Sequence, residues 1–510
     1  MEQIATLTWS DAWYLAPEIT LSAFAVVLAL LDLFAPKSWN RNFVGWLAIV
    51  GLAAAAGFVA WLMLDFQHAG DNPQVHELLG GSYRVDDFGN LLKLLFLGSS
   101  AFIVLASLGS VRTADVPIKG EFYYLMLPAA LGAMVMASSG DLITLFVGLE
   151  LLSITTYILV GSRKRSGVSS EAAFKYLVTG GVASAFILYG MSFLYGIAGT
   201  TNVGLIREHL GPMVTDYRAL MYVSFFLMIA GFAMKVALAP FHAWAADVYQ
   251  GAPTPVTSFL AVVSKGAAFA MLYRIFMNIV IFIQDDPRVH DDLYLALAVP
   301  AAAAMIVGTA GALRQQNLKR LLALSGVANA GILMIPLALQ VTLLHASAFS
   351  EFFYYLLAYA FMNIGAFAVL TVVSRHSGNE SLSAFAGLYH RAPWTAAAMT
   401  VLLCSLAGLP VTGGFFGKLF ILFGTVQTRA YWLAAILLVT TVVSYAVYFG
   451  IIRQMYLRSG DEDGGLRIPG PAAAAIWISV AATLALGFFP KPVLGWIDSF
   501  FAVRVDFWVS

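Results

Sequence analysis

The sequence predicts an all-α polytopic membrane protein with about fourteen transmembrane helices. Three observations favour this fold class. First, 60% of the 510 residues are hydrophobic and 11% are charged, whereas soluble domains carry about 25% charged residues. Second, apolar runs of the ~20 residues that a helix needs to cross a bilayer recur along the whole chain. Third, two of these runs are too long for one straight crossing and contain helix breakers.

The predicted spans follow the apolar runs in order. They lie near 13–34, 42–64, 88–111, 120–138, 141–161, 171–198, 219–250, 253–278, 291–313, 318–340, 347–374, 393–425, 430–457 and 471–499. The longest hydrophilic stretch, residues 65–87, is interpreted as an ordinary loop. No segment is long and polar enough to form a separate soluble domain.

The loops differ in charge, and this difference predicts an orientation. Most loop arginines and lysines fall on one side of the membrane in the predicted order of spans, among them Arg112, Arg163, Arg314 and Arg375. Cytoplasmic loops carry the excess of Lys and Arg in membrane proteins. Because the number of spans is even, both termini are expected on the outer side.

Helix breaks are predicted in the seventh span, at Pro240, and in the twelfth, at Pro410, where several glycines surround the proline. Proline removes a helix hydrogen bond, and non-helical backbone at membrane depth persists only when it is buried in protein or lines a water-filled cavity. The two breaks lie five spans apart. Because five is odd, the two broken spans enter the membrane from opposite sides.

This spacing predicts an inverted repeat, an arrangement typical of transporters whose ion path lies at the broken helices. Residues 120–278, with spans four to eight, form the first predicted repeat, and residues 291–457, with spans nine to thirteen, form the second. Residues 1–119 supply three N-terminal helices, and residues 471–510 supply the last one.

Four charged residues lie inside apolar stretches where a bilayer is expected, namely Glu150, Lys235, Lys265 and Lys418. Each costs roughly 2.5–3.5 kcal/mol on insertion scales, so such residues usually pair, line a wet cavity or carry ions. A structural buried pair accounts for Glu150 with one lysine, but not for three lysines against one glutamate. The four residues are therefore predicted to carry protons or other ions.

The breaks give these lysines a chemical role. Lys235 lies five residues before Pro240, and Lys418 lies just after the glycines of the second break, Gly413, Gly414 and Gly417. A lysine taken out of water takes up and releases a proton near neutral pH, and a carboxylate nearby, such as Glu150, favours its charged form. Movement of Glu150 relative to Lys235 is therefore expected to change the proton affinity of the lysine.

Other polar residues near the breaks and span ends have simpler interpretations. His242, just after Pro240, either relays protons or caps the broken helix, and both interpretations stay open. Long cationic side chains near span ends usually reach the membrane surface. This interpretation is given to Lys93, Lys175, Lys319 and Arg274.

The sequence also limits the chemistry of the chain by itself. It contains no Gly-rich phosphate loop and no metal-ligand spacing, and one cysteine, Cys404, holds neither an iron–sulfur cluster nor an internal disulfide. Lys and Arg balance Asp and Glu at 28 each, which gives no sign of nucleic-acid binding. No cofactor or metal ion is therefore expected in this chain, and its expected surroundings are lipid and other membrane proteins.

Several segments resemble the antiporter-like subunits of respiratory complex I, and the resemblance covers nearly the whole chain. They are Asp141-Leu-Ile-Thr-Leu-Phe-Val-Gly-Leu-Glu150, Pro240-Phe-His-Ala-Trp244, Asp247-Val-Tyr-Gln-Gly-Ala-Pro-Thr-Pro-Val256 with Ser264-Lys265, Leu318-Lys-Arg-Leu-Leu-Ala-Leu-Ser325 and Ala407-Gly-Leu-Pro-Val-Thr-Gly-Gly-Phe-Phe-Gly-Lys418. Three features set the chain apart from subunits L and M of that family. These are the opening Ala16-Pro-Glu-Ile-Thr, a lysine at 418 where subunit M typically has glutamate, and an end soon after the last span.

The resemblance implies a proton-translocating subunit of a bacterial inner-membrane NADH–quinone oxidoreductase. It implies that Glu150 and Lys235 form the coupled pair, that Lys265 connects the halves, and that Lys418 is the terminal carrier. NADH, FMN, iron–sulfur clusters and quinone are expected in partner subunits, and subunits M and K are the expected neighbours. Asn329 departs from the family, because many members carry histidine there; a titratable relay at Asn329 is therefore not expected, although it can hold water.

The resemblance leaves two alternatives. The first is a subunit of a multisubunit cation/proton antiporter or of a membrane-bound hydrogenase, which share the lysine–glutamate core. The second is a scaffold of the membrane arm that conducts no ions. The first alternative is distinguished from complex I by its partner proteins, because electron-transfer subunits with flavin and clusters indicate complex I. The second is tested by variants of Lys235 and Glu150 in the assembled complex.

Overall fold

The computed structural model describes residues 9–36, 38–68, 75–112, 115–280, 287–339, 348–460 and 465–500. Within these residues the chain is almost entirely helical, as the composition predicts. The N-terminal part contains one short sheet among its helices. Its elements are α1 Trp9–Tyr14, α2 Ala16–Phe34, α3 Asn42–His68, β1 His76–Leu78, β2 Tyr83–Val85 and α4 Asp87–Ser107.

The next part contains the first predicted repeat. Its helices are α5 Lys119–Tyr124, α6 Met126–Ser138, α7 Leu142–Val160, α8 Gly167–Ala198, α9 Val203–Met213, α10 Arg218–Val236, α11 Ala243–Gly251, α12 Thr254–Phe259 and α13 Lys265–Ile279. A π-helical turn, Leu260–Ser264, joins α12 to α13.

The remaining described part contains the second predicted repeat and the C-terminal helices. They are α14 Pro287–Ala312, α15 Leu318–Ala338, α16 Ala348–Ser377, α17 Leu388–Arg391, α18 Pro393–Ala407, α19 Gly413–Gln427, α20 Tyr431–Leu457, α21 Gly470–Phe488 and α22 Pro490–Phe500. A 3₁₀ turn, Leu382–Phe385, precedes α17.

Thirteen helical segments in the described part of the chain are long and apolar enough to cross a membrane. The predicted twelfth span is different, because α18 and α19 have 15 residues each. A helix of that length rises only about 22 Å, less than the ~30 Å hydrocarbon core. The broken pair α18–α19 therefore corresponds to the predicted twelfth span, and with the other thirteen segments it makes fourteen in the part of the chain that the structure describes.

Polar residues determine where several spans begin. The side chain of Asp141 accepts a hydrogen bond from the backbone of Thr144 (2.6 Å) at the start of α7. Asn317 accepts one from the backbone of Arg320 (3.1 Å) at the start of α15. Such caps satisfy N–H groups that have no partner inside the helix.

The centre of the bundle is formed by α12–α13, α15 and α16, whose residues are nearly all buried. Helix α16 packs against α4, α12, α15, α18, α19 and α21, so it joins the two predicted repeats. Helices α2 and α20 lie at the periphery and turn most of their residues outward. Buried charge is therefore most costly on the central helices.

Two predictions differ from the structure. Residues 65–87 are not an ordinary loop throughout, because β1 and β2 form an antiparallel hairpin in which His76 pairs with Val85 and Leu78 with Tyr83. The predicted last span, 471–499, is two helices, since α21 ends at Phe488 and α22 begins at Pro490. The inverted relation of residues 120–278 to residues 291–457 stays a prediction.

Candidate functional site

The first break separates α10 from α11. Helix α10 ends at Val236, and Ala237 has a left-handed backbone with φ 60°. Pro240 lies in the connection between the helices, and the indole of Trp244 donates to the carbonyl of Met234 (2.9 Å), which also accepts from the backbone N–H of Ala237 (3.2 Å). A non-glycine residue in this backbone region costs about 1–3 kcal/mol, so the surrounding packing must hold the break open.

Lys235 lies in the last turn before this break. Its Nζ donates to the hydroxyl of Ser153 on α7 (2.9 Å). Glu150 lies one helical turn before Ser153, on the same side of α7. The structure therefore places the two predicted partners near each other.

The two groups are not bonded to each other. No ion pair joins Glu150 to Lys235 within the described part of the chain, and Oε1 of Glu150 is buried without a hydrogen-bond partner there. An unpaired buried carboxylate oxygen is costly, and a water or a shift of the side chain would satisfy it. Glu150 is therefore positioned to act on Lys235 through its field.

His242 lies in the first break, at the residue before α11. Its side chain makes no capping hydrogen bond to that helix. Its Nδ1 is buried and has no hydrogen-bond partner in the residues described. Capping of the broken helix by this side chain, one of the two interpretations left open, is wrong. The relay interpretation stays a prediction.

Lys265 lies at the centre of the bundle and directly follows the π-helical turn Leu260–Ser264. Single π turns inside α-helices occur frequently at functional sites. Nζ of Lys265 donates to the carbonyl of Gly326 on α15 (2.8 Å) and lies 5.9 Å from the centre of the Tyr249 ring. A Cβ at position 326 would lie 3.2 Å from Nζ, so glycine leaves room for the ammonium.

Hydroxyl groups lie between Lys235 and Lys265. Thr156 is one turn beyond Ser153 on α7, and its hydroxyl lies 3.5 Å from that of Tyr176 on α8. Ser264 is the chain neighbour of Lys265. Hydroxyl side chains, which both donate and accept hydrogen bonds, therefore lie near each of the two lysines.

The second break has the same form as the first. Helix α18 ends at Ala407 and is followed by Gly408 with φ 84°, and Val411, in the connection with Pro410, is left-handed with φ 72°. Lys418 on α19 reaches back and donates to the carbonyls of Leu406 (2.8 Å) and Ala407 (3.2 Å). These carbonyls belong to the last turn of α18, where intrahelical partners are missing.

Asn329 lies on α15 between Lys265 and Lys418. It donates to the carbonyl of Ser325 (2.8 Å) and accepts a hydrogen bond from the Tyr355 hydroxyl (2.5 Å). The Ser325 hydroxyl in turn lies 2.6 Å from that of Tyr448. Lys418, Asn329, Ser325 and Tyr448 line one cavity of about 20 Å³. A cavity needs roughly 10–15 Å³ to hold a water molecule, so this one has room for one.

These hydroxyl groups were not predicted from the sequence. They are Ser153, Thr156, Tyr176, Ser264, Ser325, Tyr355 and Tyr448. Helical spacing was the available signal for two of them, because Ser153 follows Glu150 by three residues and Ser325 precedes Asn329 by four. The tyrosines come from α8, α16 and α20, and the sequence does not reveal which helices touch.

The interpretation of three other cations as reaching the membrane surface is wrong. Lys93 is fully buried with Glu18 (2.9 Å), Arg274 with Asp86 (2.5 Å) and Lys319 with Glu380 (2.6 Å). Their helices are covered by neighbouring helices at these positions, so the side chains have no path to the surface. Lys175 agrees with the prediction, since its half-exposed side chain pairs with Glu171 and Asp247.

Tyr83 completes the first of these buried pairs. Its hydroxyl donates to Glu18 (2.6 Å). Burial and the charge of Glu18 both raise the pKa of Tyr83, so the hydroxyl stays protonated and keeps donating. Glu18 thus lies between the ammonium of Lys93 and the phenol of Tyr83.

The buried cations therefore fall into two groups. Lys93, Arg274 and Lys319 each have a carboxylate partner. Within the described residues, Lys235, Lys265 and Lys418 have only a hydroxyl or backbone carbonyls. A neutral oxygen accepts a hydrogen bond from either –NH₃⁺ or –NH₂, so these three lysines can lose and regain a proton without losing their contact.

A membrane bundle with broken helices, and with buried lysines bonded to neutral oxygens, defines the antiporter-like class of membrane proteins. Residues 139–444 match the family described as NADH:quinone oxidoreductase/Mrp antiporter, TM. A chain of the Mrp complex from Dietzia sp. DQ12-45-1b, 19% identical, has a TM-score of 0.83 with 97% of each chain covered, and this likeness shows the fold alone.

Proteins of higher sequence identity show which family within this class the chain resembles. NADH-quinone oxidoreductase subunit N from Paenibacillus sp. (strain JDR-2) is 55% identical, with 100% of each chain covered. A chain of respiratory complex I from Thermus thermophilus is 33% identical, with a TM-score of 0.76 and coverage of 94% of this chain and 98% of that one. The chain belongs to the NADH-quinone oxidoreductase subunit N family. The resemblance to complex I subunits that the sequence indicated is confirmed. The distinction of this chain from subunits L and M is confirmed as well.

Proposed function

We propose that this chain translocates protons across the bacterial inner membrane, coupled to NADH–quinone electron transfer in partner subunits. Protons would pass along Glu150, Lys235, Lys265 and Lys418. The observation that carries this proposal is the bonding of the three lysines to neutral oxygens, while the other buried cations described are paired with carboxylates.

The first half of the path begins with the field of Glu150. When its carboxylate is charged and close, the protonated form of Lys235 is favoured; when the carboxylate moves away or is neutralised, Lys235 releases its proton. The released proton would move by way of the hydroxyls of Thr156, Tyr176 and Ser264, because a hydroxyl can accept one proton and donate another. His242, in the break beside Lys235, is a further candidate relay group.

The second half begins at Lys265. From there the route follows Ser325 and Asn329 on α15 to the small cavity and Lys418. Asparagine does not titrate, so Asn329 would hold hydrogen-bonded neighbours, including a water in the cavity, rather than carry the proton itself. Lys418 at the second break would then release the proton into the other half-channel.

The proposal also covers the partner subunits of the chain and its orientation in the membrane. The complex I relatives support membrane-arm partners, and we propose that these include subunits M and K. NADH, FMN, iron–sulfur clusters and quinone would be held by partner subunits. The distribution of Arg and Lys in the loops supports an orientation with both termini outside. Residues 120–278 and 291–457 would then open to opposite sides.

The direct test measures proton translocation per NADH in membrane vesicles carrying Lys235→Met or Glu150→Gln. We expect assembled complexes with translocation reduced about fivefold, the lower range of coupling between interacting sites. Lys164→Met is the matched control, because Lys164 forms a half-exposed surface pair with Glu121. Normal assembly and normal translocation in both test variants would instead support a non-conducting scaffold.

A second prediction concerns Asn329. Replacement by leucine removes the acceptor of the Tyr355 hydroxyl and leaves that buried group unpaired, which costs about 1–3 kcal/mol. We expect Asn329→Leu to lower proton translocation about tenfold, since 1.4 kcal/mol corresponds to a factor of ten. Asn329→His, the residue common in the family, should restore a hydrogen-bonding group and most of the rate. Equal loss in both variants would show that packing volume matters, not hydrogen bonding.

A further inference from the structure

We propose that a cavity at the arginine-rich end of the bundle binds a phosphate group, carried by a phospholipid or present as free inorganic phosphate. The cavity lies where the α4–α5 and α7–α8 connections meet the start of α12 and the end of α16. Its volume is about 310 Å³. Ligand pockets in proteins measure about 300–1,000 Å³, so the space is adequate for a small anionic group.

Arginines dominate the charge of this cavity. Arg112, Arg163, Arg165 and Arg375 line it, against two acidic residues, Asp115 and Glu380. Glu380 is already neutralised, because it pairs with buried Lys319 (2.6 Å) and with Arg163 (3.3 Å). The cavity therefore has an excess of positive charge that the protein itself does not balance.

Two of the arginines are fixed by the backbone. Arg375 donates to the carbonyl of Gly109, and Arg112 donates to the carbonyl of Arg375. No ion pair involves Arg112, Arg165 or Arg375 within the described ranges. Each guanidinium has five N–H donors, so donors remain free after these contacts. Like charges held near one another in this way are stabilised when an anion lies between them.

The chemistry of the lining favours a phosphate over a simple carboxylate. Guanidinium groups bind phosphate through paired, parallel hydrogen bonds. The hydroxyls of Ser110, Ser166 and Ser374 add further donors around the same space. Basic pockets between transmembrane helices on the cytoplasmic side are typical of sites for anionic lipid head groups.

The cavity is separate from the proposed proton path, but it lies against an element that supports the first break. Lys319, the partner of Glu380, donates to the carbonyl of Ala252 (2.9 Å), between α11 and α12. An anion that engages Arg163 would thus bind beside the Glu380–Lys319 pair that holds this connection. Ligand binding is therefore expected to raise the thermal stability of the complex.

The test measures thermal inactivation of the purified, delipidated complex, titrated at constant ionic strength with inorganic phosphate or with short-chain phosphatidylglycerol. Arg165→Gln is the main variant, because Arg165 is exposed and its loss should not impair folding. Arg375→Gln is the second variant. Arg314→Gln, an exposed arginine outside the cavity, is the control.

We expect a saturable increase in stability for the wild type and for Arg314→Gln. In Arg165→Gln the half-saturating concentration should rise about tenfold, the effect of losing one charge-assisted hydrogen bond. A response to phosphatidylglycerol alone identifies a lipid-borne phosphate, and a response to inorganic phosphate identifies the free ion. No saturable response to either probe, or equal responses in Arg165→Gln and Arg314→Gln, would overturn the proposal.

Discussion

Replacing Lys265 by methionine is expected to stop proton translocation, with a decrease of at least about a hundredfold. This is the lower limit of what a positioned proton-transfer group contributes. Lys265 follows the π-helical turn at the bundle centre and contacts α15 through Gly326. In the proposed path it is the lysine between the hydroxyls of the first half and the Asn329 cluster of the second. Methionine has a similar length and keeps the packing, but it carries no proton.

Lys265→Arg distinguishes a requirement for proton exchange at position 265 from a requirement for positive charge alone. Arginine keeps the positive charge and the donor to the Gly326 carbonyl, but it does not deprotonate in proteins. We expect this variant to assemble normally, as judged by native gel electrophoresis, and to fail in proton uptake by inverted vesicles driven by NADH. Recovery of translocation in Lys265→Arg would mean that the charge at 265 is structural.

The sequence predicted the breaks correctly because their causes are local. Pro240, and Pro410 with its surrounding glycines, lie in the connections that separate α10 from α11 and α18 from α19, so both breaks lie at the predicted places. The hairpin was missed although Gly80 and Gly81, both with positive φ, provided a turn signal. Its strands have only three residues each, too few for an alternating pattern to be visible.

The surroundings of the buried cations could not be predicted in the same way. Whether Lys93 or Lys319 reaches the surface depends on which helices cover it, and that information is tertiary. Glu18, the partner of Lys93, is 75 residues away in sequence, and Glu380 is 61 residues from Lys319. The sequence identified lysines that are costly to bury. Only the contacts separate those with carboxylate partners from those without.

The two kinds of contact suggest why both are present in one chain. Carboxylate pairs such as Arg274 with Asp86 hold helices in place, and breaking a buried pair typically costs 3–5 kcal/mol. Lys235, Lys265 and Lys418 have neutral partners instead, and their hydrogen bonds can form with either –NH₃⁺ or –NH₂ as the donor.

Lys418→Met is expected to reduce proton translocation about tenfold, the effect of one unfavourable step of 1.4 kcal/mol. The loss should be smaller than at Lys265, because the adjacent cavity of about 20 Å³ can hold a water that partly replaces the ammonium. The same water can hydrogen-bond the carbonyls of Leu406 and Ala407, which otherwise lose their donor. Assembly of the complex should therefore survive.

Lys418→Glu tests whether a titratable group is what position 418 requires. In its protonated form glutamate donates one hydrogen bond to the carbonyls of Leu406 or Ala407, and it can release that proton. We expect Lys418→Glu to translocate more protons per NADH than Lys418→Met when both are measured in vesicles with equal amounts of assembled complex. Loss of assembly in both variants would assign Lys418 a structural role at the second break, since its bonds to α18 would then be needed to hold the helix end.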